Sequence, residues 1–195
     1  IDSLLADCWS PILVWDNSAD AGLSMRALQV QYGGDSRIHF VHNSLNLGFR
    51  KGMNCALAEL GRLGNAGPVL LINNDALVAS GLRVEVLRQL TDDVNTTQLI
   101  APRTTQDGQE QGWLYYHPWF ALVTRRPLPG SFAYLSGCCL LVQRPENNRP
   151  LFDEDFFMYG EDVELSWRTR CQGGHLVLLD RSFVQHAGSA SSGQA

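Results

Sequence analysis

Short runs of Val, Ile and Leu alternate with stretches of helical period in this 195-residue chain. That alternation is the tightest constraint on its fold. "PILVWD" (11–16), "RIHFVH" (37–42) and "PVLLINN" (68–74) read as buried strands, because they are too continuously apolar to leave one face in water. Between the last two, Met53, Ala56, Leu57, Leu60 and Leu63 recur at helical spacing, and Gly64-Asn65 supplies a stop. Strand, helix, strand in that order predicts a parallel sheet with right-handed crossovers. A second helix is expected over 80–90, capped by Ser80, and a further strand over 98–103. Residues 132–143 read as one strand, 161–171 as a helix stopped by Gly173-Gly174, and 175–180 as a closing strand. The stretch 104–131 mixes aromatics, Gly and Pro without a period and predicts a long functional loop. The expectation is one α/β domain over 1–195, with no repeat and no linker.

The composition narrows the function classes. With 45% hydrophobic and 18% charged residues the chain is globular rather than disordered. A formal charge of -5 without a long basic run argues against nucleic acid as a partner. Cys8, Cys55, Cys138, Cys139 and Cys171 are odd in number and lack a CxxC spacing, so reduced thiols in a cytoplasmic protein are expected. No apolar run reaches the ~20 residues of a membrane span, and no signal peptide is read at the start. Peripheral association with the inner face of a membrane is compatible with all of this.

Three strand ends are polar: Asp16-Asn17-Ser18, His42-Asn43 and Asn73-Asn74-Asp75. Ligands collect at the carboxyl ends of parallel strands, although Asp and Asn also form turns; three such ends predict a shared pocket. "NLGFRKGMN" (46–54) places two glycines before a helix, where backbone could approach an anion. It matches neither the dinucleotide fingerprint nor the P-loop. Arg50 and Lys51 are candidates for a phosphate contact or for a solvated basic turn. "LLINNDA" admits two readings, a strand end whose amide and carboxylate hold a divalent cation, or an Asx-turn leading to the next helix.

The acid-rich "FDEDFFMYGEDVELSWRTR" (152–170) sorts by helix phase. Val163, Trp167 and Cys171 form an apolar stripe, with Glu161, Glu164 and Arg168 on one flank. Glu164 and Arg168 have the spacing of a surface ion pair, and Asp162 falls on the other flank. Phe152, Phe156, Phe157 and Tyr159 are expected to pack beneath, and Asp153, Glu154 and Asp155 are left without a chemical role. His186 is a ligand candidate only if it converges with Asp75. Trp113, Tyr115, Tyr116 and Trp119 could stack on sugars or pack under a loop.

Taken together, "VWDNSADAG", "NLGFRKGMN", "INNDA", "LSGCCLLVQR", the catalytic-type segment from Phe152 and "HAGS" resemble, in register, the motifs of a family 2 glycosyltransferase of the GT-A fold. The wording is most like bacterial rhamnosyltransferases. The resemblance implies a mostly parallel central sheet flanked by helices, and an inverting transfer from a UDP- or dTDP-sugar, with rhamnose one candidate, to a hydroxyl of a growing cell-surface glycan. It implies that Asp16, Asn17, Asn46, Gly48, Asn54, Asn73, Asn74 and Gly137 line the donor pocket. It implies that Asp75 and His186 hold Mn2+ or Mg2+, that Asp162 is the general base, and that Glu161 assists with a saccharide or lipid-linked saccharide acceptor.

Two departures accompany the resemblance. The start, "IDSLLADCW", resembles only the end of the family's first helix, so a strand–helix unit of on the order of 30 residues is expected to be missing, and relatives often continue past His186. Asn73 stands where the family often has Asp. The alternative reading is a catalytically silent nucleotide-sugar-binding module.

Overall fold

A computed structural model describes residues 1–91, 96–143, 150–153 and 160–186. In chain order the elements are helix α1 (Asp2–Ala6), strand β1 (Ile12–Asp16), α2 (Leu23–Tyr32), β2 (Ile38–His42), α3 (Gly48–Arg62), β3 (Val69–Ile72), β4 (Ala76–Val78) and α4 (Leu82–Arg88). They continue with β5 (Gln98–Gln106), β6 (Gln109–Gln111), β7 (Leu114–His117), β8 (Leu122–Thr124), β9 (Phe132–Tyr134), β10 (Cys139–Gln143), α5 (Glu161–Cys171) and β11 (His175–His186). Two compact units emerge. The smaller comprises Trp9–Ala66 with Asn148–Glu161, and the larger comprises Ile1–Cys8, Gly67–Asn147 and Asp162–Ala195.

In the smaller unit β1 and β2 pair in parallel, from Ile12 opposite Ile38 to Asp16 opposite His42. The expected helical stripe is real: α3 buries Ala56, Leu57 and Leu60 and packs on β1. It begins earlier than expected, at Gly48, so most of "NLGFRKGMN" is helix rather than ligand loop. Gly48, at φ 74°, makes the turn into the helix that a side chain would resist. Gly52 serves packing: a Cβ there would lie 3.1 Å from Asn17 Nδ2 and 3.4 Å from Trp15 Nε1.

The larger unit holds a sheet in the order β3-β10-β5-β11-β4, with β6 added on β5. β5 and β11 are parallel, whereas β10 is antiparallel to both β3 and β5, and β4 is antiparallel to β11. Leu99, Ile100, Leu140 and Leu141 form its fully buried centre. Each such side chain contributes ~1.5–3 kcal/mol through burial. A second sheet, β8-β7-β9, is wholly antiparallel.

Several expectations are corrected here. Residues 104–131 are not a long loop, because β5 runs on to Gln106 and turns through Asp107-Gly108 into β6. Both turn residues have positive φ, 51° and 73°, which is the two-residue hairpin geometry that Asp-Gly favours. The expected single strand 132–143 is two, β9 and β10, which belong to different sheets and are separated by Leu135–Cys138. β11 passes the polar Asp180-Arg181 by a bulge and continues to His186.

Ser80 does not cap α4; the Asp7 carboxylate does, accepting the N–H groups of Gly81 at 2.6 Å and Arg83 at 2.7 Å. The buried face of α5 is Leu165, Ser166 and Thr169, not Val163, Trp167 and Cys171. Small hydroxyl residues win that face because Ser166 Oγ accepts the N–H of Leu135, a bond a larger apolar residue could not offer. Trp167 stays 51% exposed, with one side against Phe132 at 4.6 Å.

Candidate active site

The smaller unit holds the residues expected to meet the nucleoside. Asp16 ends β1, and the parallel register sets it opposite His42. Its Oδ1 accepts the Ser18 amide at 2.9 Å and the Ser18 hydroxyl at 2.6 Å, and its Oδ2 lies 3.0 Å from His42 Nδ1. Burial alone would raise the pKa of this carboxyl, but the hydrogen bonds from Ser18 and His42 outweigh it and hold the group below its ordinary range. Asp16 is therefore a fixed, ionised acceptor at a strand end. Ser18 and His42, which the sequence marks only as polar strand ends, are its orienting partners, a role that depends on the pairing of β1 with β2.

Asn17 clamps the next turn. Its Nδ2 donates to Asn46 Oδ1 at 3.1 Å and to the Gly48 carbonyl at 2.9 Å, and its Oδ1 accepts the Leu47 N–H at 3.0 Å. Asn46 Oδ1 also accepts the Gly48 N–H at 2.9 Å. Asn54 is turned to the backbone of Phe152, donating to its carbonyl at 2.8 Å and accepting its N–H at 3.0 Å. Asn17, Asn46 and Asn54 thus build the walls of this region.

Arg50 is neither a phosphate ligand nor a solvated turn: it is 4% exposed, donates to the Asp153 carbonyl at 3.2 Å and sits 3.9 Å from Glu161 Oε2. Glu161 therefore has a structural partner within this unit, whereas Lys51 is exposed. Phe152 is buried edge-on against Phe49. Glu154, Asp155, Phe156, Phe157, Tyr159 and the Ala-Gly-Ser turn after His186 lie outside the described residues.

The larger unit holds the residues expected to carry metal and base. β3 stops at Ile72, and Asn73 to Ala76 form a turn closed by the Ala76 N–H on the Asn73 carbonyl at 3.2 Å. The amide and carboxylate therefore sit on a turn rather than along one strand face, and no side-chain Asx bond forms there among the described residues. Asn74 is exposed and Asn73 half-buried. The antiparallel β4–β11 ladder pairs His186 with Ala76, next to Asp75. His186 Nε2 lies 3.2 Å from Asp75 Oδ1, outside hydrogen-bonding geometry, so this buried oxygen lacks a hydrogen-bond partner among the described residues.

Asp162, in the first turn of α5, accepts the Gly137 N–H at 3.3 Å and the Val163 N–H at 2.9 Å. Gly137 permits the approach, since a Cβ there would stand 3.4 Å from the Asp162 Cβ. Glu164 and Arg168 form the expected i, i+4 pair, at 2.7 Å, away from these contacts. The Asn73 N–H donates to the Cys138 carbonyl at 2.9 Å, which sets the turn carrying Asp75 beside the segment that Asp162 holds at Gly137. Burial pushes the Cys138 thiol up to about 11, and the charges of Asp75 and Asp162 add to this while a Ser136 hydrogen bond opposes it. Burial and the Asp162 charge likewise hold the Tyr134 phenol protonated above its ordinary range. Asp162, bonded to Gly137, and the turn carrying Asp75, with His186 against it, thus flank the segment 136–138.

An orphaned buried carboxylate oxygen facing an imidazole fits two ligands of a divalent cation. Among the described residues no group of three His, Cys, Asp or Glu could hold a metal ion, so the remaining ligands would be waters and phosphate oxygens.

This architecture is a mixed α/β fold of the GT-A type. A solved structure sharing it is the crystal structure of GalNAc-T7 with UDP, GalNAc and Mn2+, at a TM-score of 0.66 and 14% identity. The match covers 93% of this chain and 38% of that one, so the chain spans well under half the neighbour's length. No family model matches the sequence, and no curated protein matches it. No helix among the described residues is long and apolar enough to cross a membrane.

Proposed function

We propose that the chain is an inverting glycosyltransferase of the family 2 type, moving a sugar from a UDP- or dTDP-sugar to a hydroxyl of a growing glycan. The observation that carries this reading is the grouping of Asp75, His186 and Asp162 beside residues 136–138, in a fold shared with a structure that contains UDP and Mn2+. Asp75 and His186 would hold Mn2+ or Mg2+, which when bound neutralises the charge growing on the leaving diphosphate.

Asp162 takes the proton of the acceptor hydroxyl. The acceptor oxygen forms its bond to the anomeric carbon as the bond from that carbon to the diphosphate oxygen breaks, and the nucleoside diphosphate leaves. Attack from the face opposite the leaving group inverts the configuration. The Gly137 N–H keeps the base in one orientation. Asp16, braced by Ser18 and His42, offers its carboxylate to the nucleoside, and the Asn17 clamp shapes the turn at 46–48. Rhamnose is the sugar suggested by the sequence wording, with a saccharide or lipid-linked saccharide as acceptor.

The test is sugar transfer from a panel of UDP- and dTDP-sugars with Mn2+ present, comparing the parent with Asp162→Asn. Loss of the base is expected to lower turnover by roughly 10²–10⁴ while donor affinity changes little. Undiminished transfer by Asp162→Asn removes it as the base. Donor binding without transfer to any acceptor favours the silent binding module.

A further inference from the structure

At the ends of β1 and β2 the carboxylate of Asp16 has little left to offer a ligand. Its Oδ1 takes both the amide and the hydroxyl of Ser18, and its Oδ2 takes His42 Nδ1, so a single lone pair remains on a side chain that is 8% exposed. His42 is the more open member of the pair, at 32%. An ionised carboxylate can only accept, so the bond fixes the imidazole proton on Nδ1. In the neutral ring Nε2 is then a bare acceptor. It has no hydrogen-bond partner among the described residues.

Gly22 decides what stands beside that acceptor. A Cβ there would lie 3.4 Å from His42 Nε2 and 3.5 Å from Arg26 Nη1, so the two side chains converge on one spot that a larger residue would fill. Arg26 Nη1 donates to the Ala21 carbonyl at 3.1 Å, and the other N–H groups of the guanidinium have no partner among the described residues. Asp20 does not compete for them, because its carboxylate accepts the amides of Gly22, Leu23 and Ser24. An acceptor of fixed tautomer and a cationic donor thus meet within the smaller unit.

We propose that His42 and Arg26 read the base of the donor nucleotide, an inference that rests on the UDP- or dTDP-sugar reading. His42 Nε2 accepts the imide N–H of uracil or thymine, and Arg26 donates to a carbonyl next to it. Asp16 is the positioning residue that holds the imidazole. Cytosine in the same seat sets a bare ring nitrogen against Nε2, lone pair to lone pair, and is rejected for want of the proton. A phosphate fits this pair less well, since the neutral Nε2 has no proton to give it.

Calorimetry of the full chain with UDP, dTDP, CDP and N3-methyl-UDP, with Mn2+ present, tests the proposal. UDP and dTDP should bind roughly tenfold or more tightly than CDP and N3-methyl-UDP, which leave Nε2 bare. His42→Asn keeps an amide donor for Asp16 in the place of Nδ1 but has nothing in the place of Nε2. Its thermal midpoint should match the parent's, its UDP affinity should fall roughly tenfold, and its preference for UDP over N3-methyl-UDP should vanish. A merely structural His42 would leave that preference intact. Arg26→Gln should weaken both nucleotides alike, by roughly threefold. The proposal is overturned if the parent binds N3-methyl-UDP or CDP as tightly as UDP, if His42→Asn keeps the parent's preference, or if Arg26→Gln binds as the parent does. A parent that binds none of the four nucleotides overturns the donor reading as well, which separates the two failures.

Discussion

At Asn54 a single amide serves both the N–H and the carbonyl of Phe152, bonds that close the α3 helix onto a segment about a hundred residues away in sequence. The motif Asn-x-Gly-Phe-x-x-Gly-x-Asn reads equally well as a ligand loop, since an amide that binds backbone and one that binds a ribose are the same residue type. Asn54→Ala strips two backbone groups of their partner and should cost on the order of 1–3 kcal/mol, seen as a lower urea midpoint. Nucleotide affinity by calorimetry should hardly change in the folded protein; a large loss of affinity at unchanged stability would restore the ligand role. Asp16 shows the reverse case. Its carboxylate was legible as a site candidate, but the Ser18 and His42 bonds that fix it were not, because they depend on the register of β1 against β2.

Elements were legible where their signal is local. The α3 stripe and the Gly173-Gly174 stop follow from helical period and from the αL conformation of Gly173, at φ 79°. Asp107-Gly108 is an equally local hairpin signal, and it marks the β5–β6 turn inside an otherwise aperiodic stretch. The α4 cap is different in kind. Ser80 stands in the right place by sequence, yet Asp7, 74 residues before Gly81, supplies both acceptor oxygens. Asp7→Ala should therefore destabilise the protein by roughly 2 kcal/mol, and Ser80→Ala by a few tenths at most. Comparison of their denaturation midpoints checks this, and equal midpoints would return the cap to Ser80. The phase of α5 is not legible locally for a related reason: a hydroxyl side chain reads as solvent-facing until a buried N–H needs it.

For the whole molecule, ionisable groups set the pH range of stability. Asp16 is held below its ordinary range as described, Asp20 is held low chiefly by the Ser24 hydroxyl and amide, and Asp35 is lowered to about 2, chiefly by Arg37. Depressed carboxyl pKa values contribute stability that is complete above the unfolded value near 3.8 and is lost as pH falls through the folded values. Cys138, raised to about 11, works at the other end: the unfolded thiol ionises first, near 9, so stability declines from there upward. Urea midpoints should thus be level between about pH 4 and 9 and fall on both sides, with Asp35→Asn flattening the acid limb. An acid limb unchanged in that variant would remove Asp35 from the account.

By itself the sequence determined the α/β class, the β1–β2 strands, the buried face of α3 and the Glu164–Arg168 pair. Each of these depends on periodicity or spacing within a dozen residues, where burial and backbone geometry are local. The tertiary structure alone decided the mixed pairing of the larger sheet, the Asp7 cap, the Asn54–Phe152 bonds and the meeting of Asp75 with His186. Those depend on which distant backbone groups must find partners once the apolar runs are buried, and no local pattern records that.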